Sequence, residues 1–193
     1  LLKMDFLGLR TLTVIQDTIN LVKQNRGIDV EFDKDMSDPK VYKLWQEGNT
    51  SGIFQFESQG MTNFMKELKP DCLEDLIAGA SLYRPGPMDQ IPRYIRGKQN
   101  PGHNEYTHPS LEPILNVTYG CMVYQEQVMQ IVRDLAGYSL GRADLVRRAM
   151  GKKKLDVMAK EREVFINGQV DENGNIIVPG CVRNGIDAES ANK

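Results

Sequence analysis

Apolar residues recur at helical spacing in several parts of the chain. The pattern is clearest over residues 121–138, where an i, i+3, i+4 series predicts an amphipathic helix; it comprises Tyr124, Val128, Ile131, Val132, Leu135 and Ala136. Shorter patterns predict helices over Thr11–Gln24 and over residues 38–48, 69–83, 139–154 and 155–168. These helices, with little strand signal, predict a mainly α fold with small β elements (α+β).

Two segments carry a strand pattern. The opening nine residues alternate weakly, which would place Lys3 and Asp5 on one face of a strand and Met4 and Phe6 on the other. Residues 169–178 read as a β-hairpin with Asn173–Gly174 in a type I′ turn. Both segments are short, so the predicted sheet content stays small.

Local signals predict how some of these segments begin and how they face the core. Asp71, with Glu74 three residues later, is expected to cap the helix over 69–83. Residues 83–102 contain four prolines and three glycines and are predicted to be an irregular basic loop. On a wheel of the 139–154 helix, one set of residues faces the core: Ala143, Val146, Ala149 and Met150. Arg148 lies opposite this set and Arg147 borders it.

Composition limits the class of protein. The chain has 193 residues, of which 40% are hydrophobic, and a formal net charge of -2. Apolar runs fall well short of the roughly 20 residues that a membrane helix needs. The three cysteines are widely spaced, which favours a reducing, cytoplasmic setting over a disulfide framework or a zinc site. The opening and closing residues look internal to longer elements, so we expect the chain to be a piece of a larger protein.

Positive charge is concentrated in one place. Five of the eight residues in RRAMGKKK, 147–154, are basic, and residues 142–154 contain six basic residues against a single aspartate. A lysine run at a helix end is often only a solvated face that suits the helix dipole. Paired arginines, however, match phosphate oxygens with planar donor forks. With further basic residues in the 83–102 segment (Arg84, Arg93, Arg96 and Lys98), the charge favours a polyanionic partner, either a triphosphate or a stretch of nucleic-acid backbone.

Other candidate chemistry is weaker. Asp5 could be one ligand of a metal, but one carboxylate does not make a magnesium site, and the Asp33–Asp35 pair lies in a polar loop. Phe54 and Phe56 could stack on a base or simply pack inward. The two histidines have no serine or cysteine partner in a triad pattern.

Five blocks occur in an order that resembles one family. They are KMDFLGLRTLTVI, GIFQFESQGM, DLIAGASLYRPGPM, YGCMVYQEQVMQI and LAGYSLGRADLVRRAMGKKK. Together they resemble the C family of bacterial replicative DNA polymerases, the alpha subunits of DNA polymerase III, from residue 2 to about residue 168. The resemblance implies that residues 1–36 are the C-terminal part of a polymerase-beta-like palm and that residues 37–193 are a fingers domain, truncated at its C-terminal end.

The resemblance also implies site residues and a cofactor. In this family three aspartates hold two Mg²⁺ ions; Asp5 corresponds to the third of them, with Lys3 beside it. The other two aspartates precede this segment, so the chain alone is expected to be inactive. The resemblance of the RRAMGKK helix to the fingers helix of this family implies that four residues contact the incoming nucleotide: Arg147, Arg148, Lys152 and Lys153. It also implies that three further residues border the nucleotide and the template: Gln55, Ser58 and Arg84.

These assignments imply a function with its partners. The chain would be part of a template-directed DNA polymerase that binds primer–template DNA and deoxynucleoside triphosphates, and the rest of the parent polypeptide would bind the other replicative holoenzyme subunits. An alternative is a stand-alone nucleic-acid-binding module without catalysis. A third possibility, a structural or protein-interaction domain, would require the arginines to be solvated and tolerant of substitution.

Overall fold

The computed structural model describes residues 3–4, 6–32 and 34–193. The chain divides into two compact units, residues 1–37 and residues 38–193. The helices are α1 (Arg10–Arg26), α2 (Pro39–Glu47), α3 (Gln59–Leu68), α4 (Leu73–Leu82), α5 (Ile91–Gln99), α6 (Glu112–Leu115), α7 (Gln125–Ala136), α8 (Leu140–Gly151), α9 (Leu155–Asn167) and α10 (Ala188–Asn192). The predicted mainly α fold class is confirmed. In the described ranges, none of these helices is both long enough and apolar enough to cross a membrane.

The smaller unit contains α1. This helix ends where Gly27 adopts a φ of 66° and donates its backbone N–H to Lys23, which confirms the helix predicted over Thr11–Gln24. None of its residues is buried. The strand predicted for the opening residues is wrong for 3–4 and 6–9, which form no regular structure. A strand needs a hydrogen-bonded neighbour, and the part of the chain that the structure describes pairs only the 169–178 hairpin.

The larger unit has two hydrophobic cores. The first lies among α2–α5, and its buried members include Trp45, Phe64, Met65, Leu82 and Tyr94. The second lies among α6–α10, and its buried members include Leu115, Leu135, Tyr138, Val146 and Ile186. The apolar faces that the spacing predicted on α7 and α8 pack into the second core, through residues such as Leu135 and Val146.

A buried glutamine connects α7 to the residues that precede it. Gln127 is 3% exposed. Its Nε2 donates to the hydroxyl of Thr118 at 2.7 Å, and its Oε1 accepts from the backbone N–H groups of Val123 and Tyr124 at 2.8 and 2.9 Å. Because a buried amide must satisfy all its polar atoms, these bonds fix where α7 begins.

The prediction of an irregular loop over residues 83–102 is wrong. This segment forms a short 3₁₀ turn, Pro87–Gln90, followed by α5. Pro92 lies in the first turn of α5, where the missing proline N–H has no helical partner to lose. The prolines therefore start a helix here instead of preventing one.

The predicted cap of α4 is also wrong. Cys72, not Asp71, holds the N-cap position, and its side chain makes no capping bond. Asp71 instead accepts a hydrogen bond from Lys98 at 2.8 Å, and its own backbone N–H donates to Asp75. The Asp71 carboxylate therefore forms a tertiary ion pair with Lys98 instead of capping the helix.

The hairpin is present, but its turn differs from the prediction. Strands β1 (Gln169–Val170) and β2 (Ile176–Val178) pair antiparallel. Gly174 has a φ of 83°, whereas Asn173 lies outside the left-handed region that a type I′ turn requires at both positions. Gly174 donates to the carbonyl of Asp171 at 3.0 Å. The carboxylate of Asp171 also accepts from the backbone of Asn173 and Asn175, which stabilises this wider turn.

Candidate functional site

The two helices that build the site are adjacent in sequence. Gly137 ends α7 with a φ of 76°, and the Ser139 hydroxyl caps α8 by accepting from the backbone N–H of Arg142. Gln125, the first residue of α7, contacts Arg147 near the end of α8. The beginning of α7 therefore lies beside the end of α8, where the basic run is.

One face of α8 packs into the second core, as predicted for most of its residues. Ala143, Val146 and Ala149 are buried. Met150, predicted to join them, is 43% exposed, so that prediction is wrong. It lies in the last turn of α8, beyond the core, where it lines an open cavity together with Gln125.

Arg147 is held in a fixed orientation by two neighbours. Its Nε and Nη2 donate to Oδ1 of Asp144 at 2.9 and 2.6 Å, and its Nη1 donates to Oε1 of Gln125 at 2.6 Å. The Arg147 side chain is 29% exposed. Holding both edges of the guanidinium restricts its rotation, so the group is ordered before any ligand arrives.

Arg148 is turned toward solvent, as the helical wheel predicted. Its side chain is 62% exposed, and one nitrogen, Nη2, contacts Oδ2 of Asp144 at 2.7 Å. Asp144 thus binds both arginines with its two carboxylate oxygens, which places two guanidinium groups side by side at the surface. Adjacent guanidinium forks suit the oxygens of a di- or triphosphate.

The pKa of Asp144 reflects this arrangement. The hydrogen bond from Arg147 lowers the pKa of the Asp144 carboxyl, and the charges of Arg147 and Arg148 lower it further. The carboxylate is therefore ionised throughout the neutral range. It reduces the net positive charge of the arginine pair while it holds the pair in place.

The lysines of the basic run follow the end of α8. Lys152 forms the helix C-cap, and Lys153 adopts a φ of 51°, so the chain turns before α9 begins. Both lysines are exposed. The helix predicted over 139–154 thus ends three residues early, at Gly151.

The structure does not join the other predicted nucleotide residues to the α8 arginines. Ser58 caps α3 by accepting from the backbone N–H of Met61, which gives this hydroxyl a structural role. Gln55 is exposed and has a φ of 67°, and Arg84 is exposed just after α4. Within the described ranges, no hydrogen bond or ion pair links these three residues to α8.

The predicted catalytic pair comes from the opening residues of the sequence. Asp5, the predicted metal ligand, lies outside the residues that the structure describes. Lys3 is exposed. The role of both residues therefore stays a prediction.

One group of potential metal ligands does occur in the described ranges. It consists of Asp71, Cys72 and Asp75. The ammonium group of Lys98 already lies 2.8 Å from Asp71 and 2.5 Å from Asp75, where its single positive charge offsets one of the two negative charges. Burial raises the pKa of Cys72 to about 11, which disfavours a thiolate ligand. This group is an internal ion pair and does not fit a Mg²⁺ site.

Sequence reasoning missed two residues of the site. Asp144 lies three and four residues before the two arginines, a spacing at which opposite charges meet on a helix, so it could have been found. Gln125 is 22 residues from Arg147, and no local pattern indicates their contact.

Comparison with known proteins identifies the family. Residues 11–173 match the family described as bacterial DNA polymerase III alpha subunit finger domain. The DNA polymerase III subunit alpha of Thermus aquaticus is 53% identical over 174 residues, which cover 87% of this chain and 14% of the relative. That of Staphylococcus aureus strain COL is 49% identical over 175 residues, which cover 90% and 16%. The chain thus spans about a seventh of the length of these relatives. It belongs to the bacterial DNA polymerase III alpha subunit finger domain family.

Proposed function

We propose that this chain is part of a template-directed DNA polymerase and binds the triphosphate of the incoming deoxynucleotide during bacterial DNA replication. The observation that carries the proposal is the arginine pair on α8, which Asp144 and Gln125 hold in place. The family membership supports a polymerase context. In a bacterial cell, a protein with this function would work in the cytoplasm.

The physical demands of nucleotidyl transfer match this arrangement. Phosphoryl transfer depends on positioning and on neutralising charge at the phosphate oxygens, with little covalent chemistry from the protein. Arg147 is already oriented, whereas Arg148 has most of its donors in solvent. Arg147 would fix the position of the triphosphate, and the exposed side chain of Arg148 would donate hydrogen bonds to it from the solvent side. Lys152 and Lys153 would add charge near the DNA backbone.

The remaining assignments concern the complete enzyme. Two Mg²⁺ ions would supply charge neutralisation at the triphosphate, with Asp5 as one of three carboxylate ligands and Lys3 nearby. Gln55 and Arg84 would border the nucleotide and the template. Ser58 would stabilise the turn that contains Gln55, because it caps the helix that follows this turn. The chain by itself would be inactive, because the other two aspartates would come from elsewhere in the parent polypeptide. Primer–template DNA and the holoenzyme subunits would be its partners there.

Arg148→Ala separates a polymerase from a stand-alone DNA-binding module. In the complete polymerase, the variant is expected to raise the nucleotide KM or lower kcat by tens-fold, because one hydrogen bond to a charged group contributes roughly 1.5–3 kcal/mol. Its affinity for primer–template DNA, measured without nucleotide by fluorescence anisotropy, should change little. The opposite pattern, weaker DNA binding with normal nucleotide kinetics, would favour the stand-alone module.

Asp144→Asn tests whether this carboxylate positions the arginines. Removing its charge is expected to tighten binding of inorganic triphosphate by about fivefold, since a unit charge near 4 Å contributes on the order of 1 kcal/mol in water. The kcat of the complete polymerase should fall, because Arg147 loses its orientation. Calorimetry and single-nucleotide incorporation measure the two effects. Unchanged binding together with unchanged kcat would contradict the positioning role.

A further inference from the structure

The Asp144 carboxylate occupies hydrogen-bond donors that a bound phosphate would use. Its Oδ1 accepts from both Nε and Nη2 of Arg147, at 2.9 and 2.6 Å, and its Oδ2 lies 2.7 Å from Nη2 of Arg148. The Nε–Nη2 edge of a guanidinium is one of the forks that bind two oxygens of a phosphate. Because the carboxylate already lies at this edge of Arg147, a phosphate that used it would have to displace Asp144.

The contacts that hold Asp144 lie within one helix. In the described part of the chain its side chain pairs with Arg147 and Arg148, three and four residues further along α8. The Asp144 side chain is 28% exposed, so a carboxylate that leaves the arginines reaches water. Partly exposed ion pairs between neighbours on one helix contribute little to stability. The carboxylate can therefore leave without disturbing the fold.

Other acidic side chains of the larger unit are held by contacts between elements. Glu161 on α9 binds Arg142 with both carboxylate oxygens and accepts from the hydroxyl of Tyr138. The side chain of Asp75 is 2% exposed, and its ion pair joins α4 to α5. Removing either acid would break contacts that hold elements together. Asp144 has no comparable tertiary contact within the described ranges, so it is better suited to exchange with a ligand.

Gln125 keeps Arg147 in place when the carboxylate leaves. Its Oε1 accepts from Nη1 of Arg147 at 2.6 Å, whereas Asp144 binds Nε and Nη2. The amide of Gln125 is neutral, so it does not repel a phosphate. The two neighbours of Arg147 therefore differ: Gln125 holds the guanidinium with or without a ligand, and Asp144 competes with the ligand for the same donors.

We propose that Asp144 is an internal competitor for the triphosphate site: it leaves Arg147 and Arg148 when a triphosphate binds, and it returns to them as pyrophosphate, the second product of nucleotide incorporation, departs. The inference rests on the proposed polymerase function. A group that must leave before a ligand binds lowers the apparent affinity in proportion to the fraction of protein that is open. The reduction applies to pyrophosphate as well as to the triphosphate, so the carboxylate promotes release of the product.

The test measures inhibition of the complete polymerase by added pyrophosphate. Asp144→Asn is expected to lower the inhibition constant of pyrophosphate by about tenfold, because a neutral amide competes weakly for guanidinium donors. Asp134→Asn is the matched control. Asp134 forms a similar exposed ion pair on α7, 2.6 Å from Arg133, so its replacement makes the same change in charge outside the arginine pair. This control should leave the inhibition constant unchanged.

Two measurements separate direct competition from a general effect of charge. The ratio of the wild-type and Asp144→Asn inhibition constants should persist between about 50 and about 300 mM salt, because salt screens distant charges far more than groups in contact. Asp144→Glu keeps the charge on a side chain one methylene longer and should restore most of the wild-type inhibition constant. A ratio that fell to one at high salt would show that Asp144 acts only through its field, and would overturn the proposal.

The proposed function and the competitor role fail in different ways. Arg147→Ala/Arg148→Ala should raise the inhibition constant of pyrophosphate, because the phosphate loses its donors. If this constant did not change, the triphosphate site on α8 would be wrong and the competitor role would be wrong with it. If the constant did rise, while Asp144→Asn behaved like Asp134→Asn, the arginines would bind phosphate and Asp144 would not compete for them.

Discussion

Lys98→Met is expected to destabilise the larger unit by about 3–5 kcal/mol, the cost of leaving one member of a buried ion pair without its partner. The Asp75 side chain is 2% exposed and lies 2.5 Å from the ammonium group of Lys98, whose side chain is 13% exposed. Methionine keeps the length of the side chain but removes its charge. Chemical denaturation of the 193-residue chain measures the loss.

Two further variants make this prediction specific. Lys43→Met removes an exposed ion pair with Glu47 and should cost less than about 1 kcal/mol. Adding Asp75→Asn to Lys98→Met should recover part of the lost stability, because the buried carboxylate is no longer charged. If Lys98→Met were as stable as Lys43→Met, the ion pair would not hold α4 against α5.

The same group predicts how stability depends on pH. The hydrogen bond from Lys98 lowers the pKa of Asp71. Burial acts to lower the pKa of Lys98, but its hydrogen bonds to Asp71 and Asp75 outweigh burial and raise it. Asp71 thus stabilises the fold above its unfolded pKa, near pH 4, and this stabilisation is lost as the pH falls through its lower folded pKa. The stabilisation from Lys98 is lost only in strong alkali, as the pH rises through the raised pKa of its ammonium group. Lys98→Met should flatten the acid side of a stability–pH curve.

Loss of both α8 arginines is expected to lower kcat/KM of the complete polymerase by about 10²- to 10⁴-fold. Each arginine would donate charge-assisted hydrogen bonds to the triphosphate, and two losses of roughly 1.5–3 kcal/mol give this range. Single-turnover incorporation of one nucleotide on a primer–template measures the effect. Arg147→Lys/Arg148→Lys should recover only part of it, because lysine restores the charge without the planar fork.

The matched control is Arg183→Ala, an exposed arginine outside the site, which should have wild-type kinetics. Arg147 also contacts Gln125, so its removal could shift α7. The variant Gln125→Ala isolates this contribution: it frees Arg147 without removing its charge and should cost less than the double variant. Wild-type kinetics in Arg147→Ala/Arg148→Ala would contradict the triphosphate assignment.

Much of the helical architecture could be predicted from local patterns. The end of α7 and the start of α8 follow from apolar spacing together with Gly137 and Ser139, which act within a few residues of where they lie. The prediction for α5 failed because prolines were taken to mark a loop, although Pro92 occupies a first turn that tolerates it. The Asp71 cap failed because a lysine 27 residues away binds that carboxylate.

The candidate site was predictable only in part. Charge density and paired arginines indicated a candidate phosphate site, which stays a prediction. The helical wheel correctly placed Arg148 in solvent and Arg147 at the edge of the core. The contact between Arg147 and Gln125 depends on how two helices pack, which periodicity does not encode.

The central claim is that the α8 arginines receive a nucleotide triphosphate. The most direct test is an NMR titration of the 193-residue chain with thymidine triphosphate and Mg²⁺ that observes the Nε–H signals of its arginines. We expect the signals of Arg147 and Arg148 to shift while that of Arg183 does not, and we expect thymidine without phosphates to shift none of them. Equal shifts of all three signals, or shifts that spare Arg147 and Arg148, would contradict it.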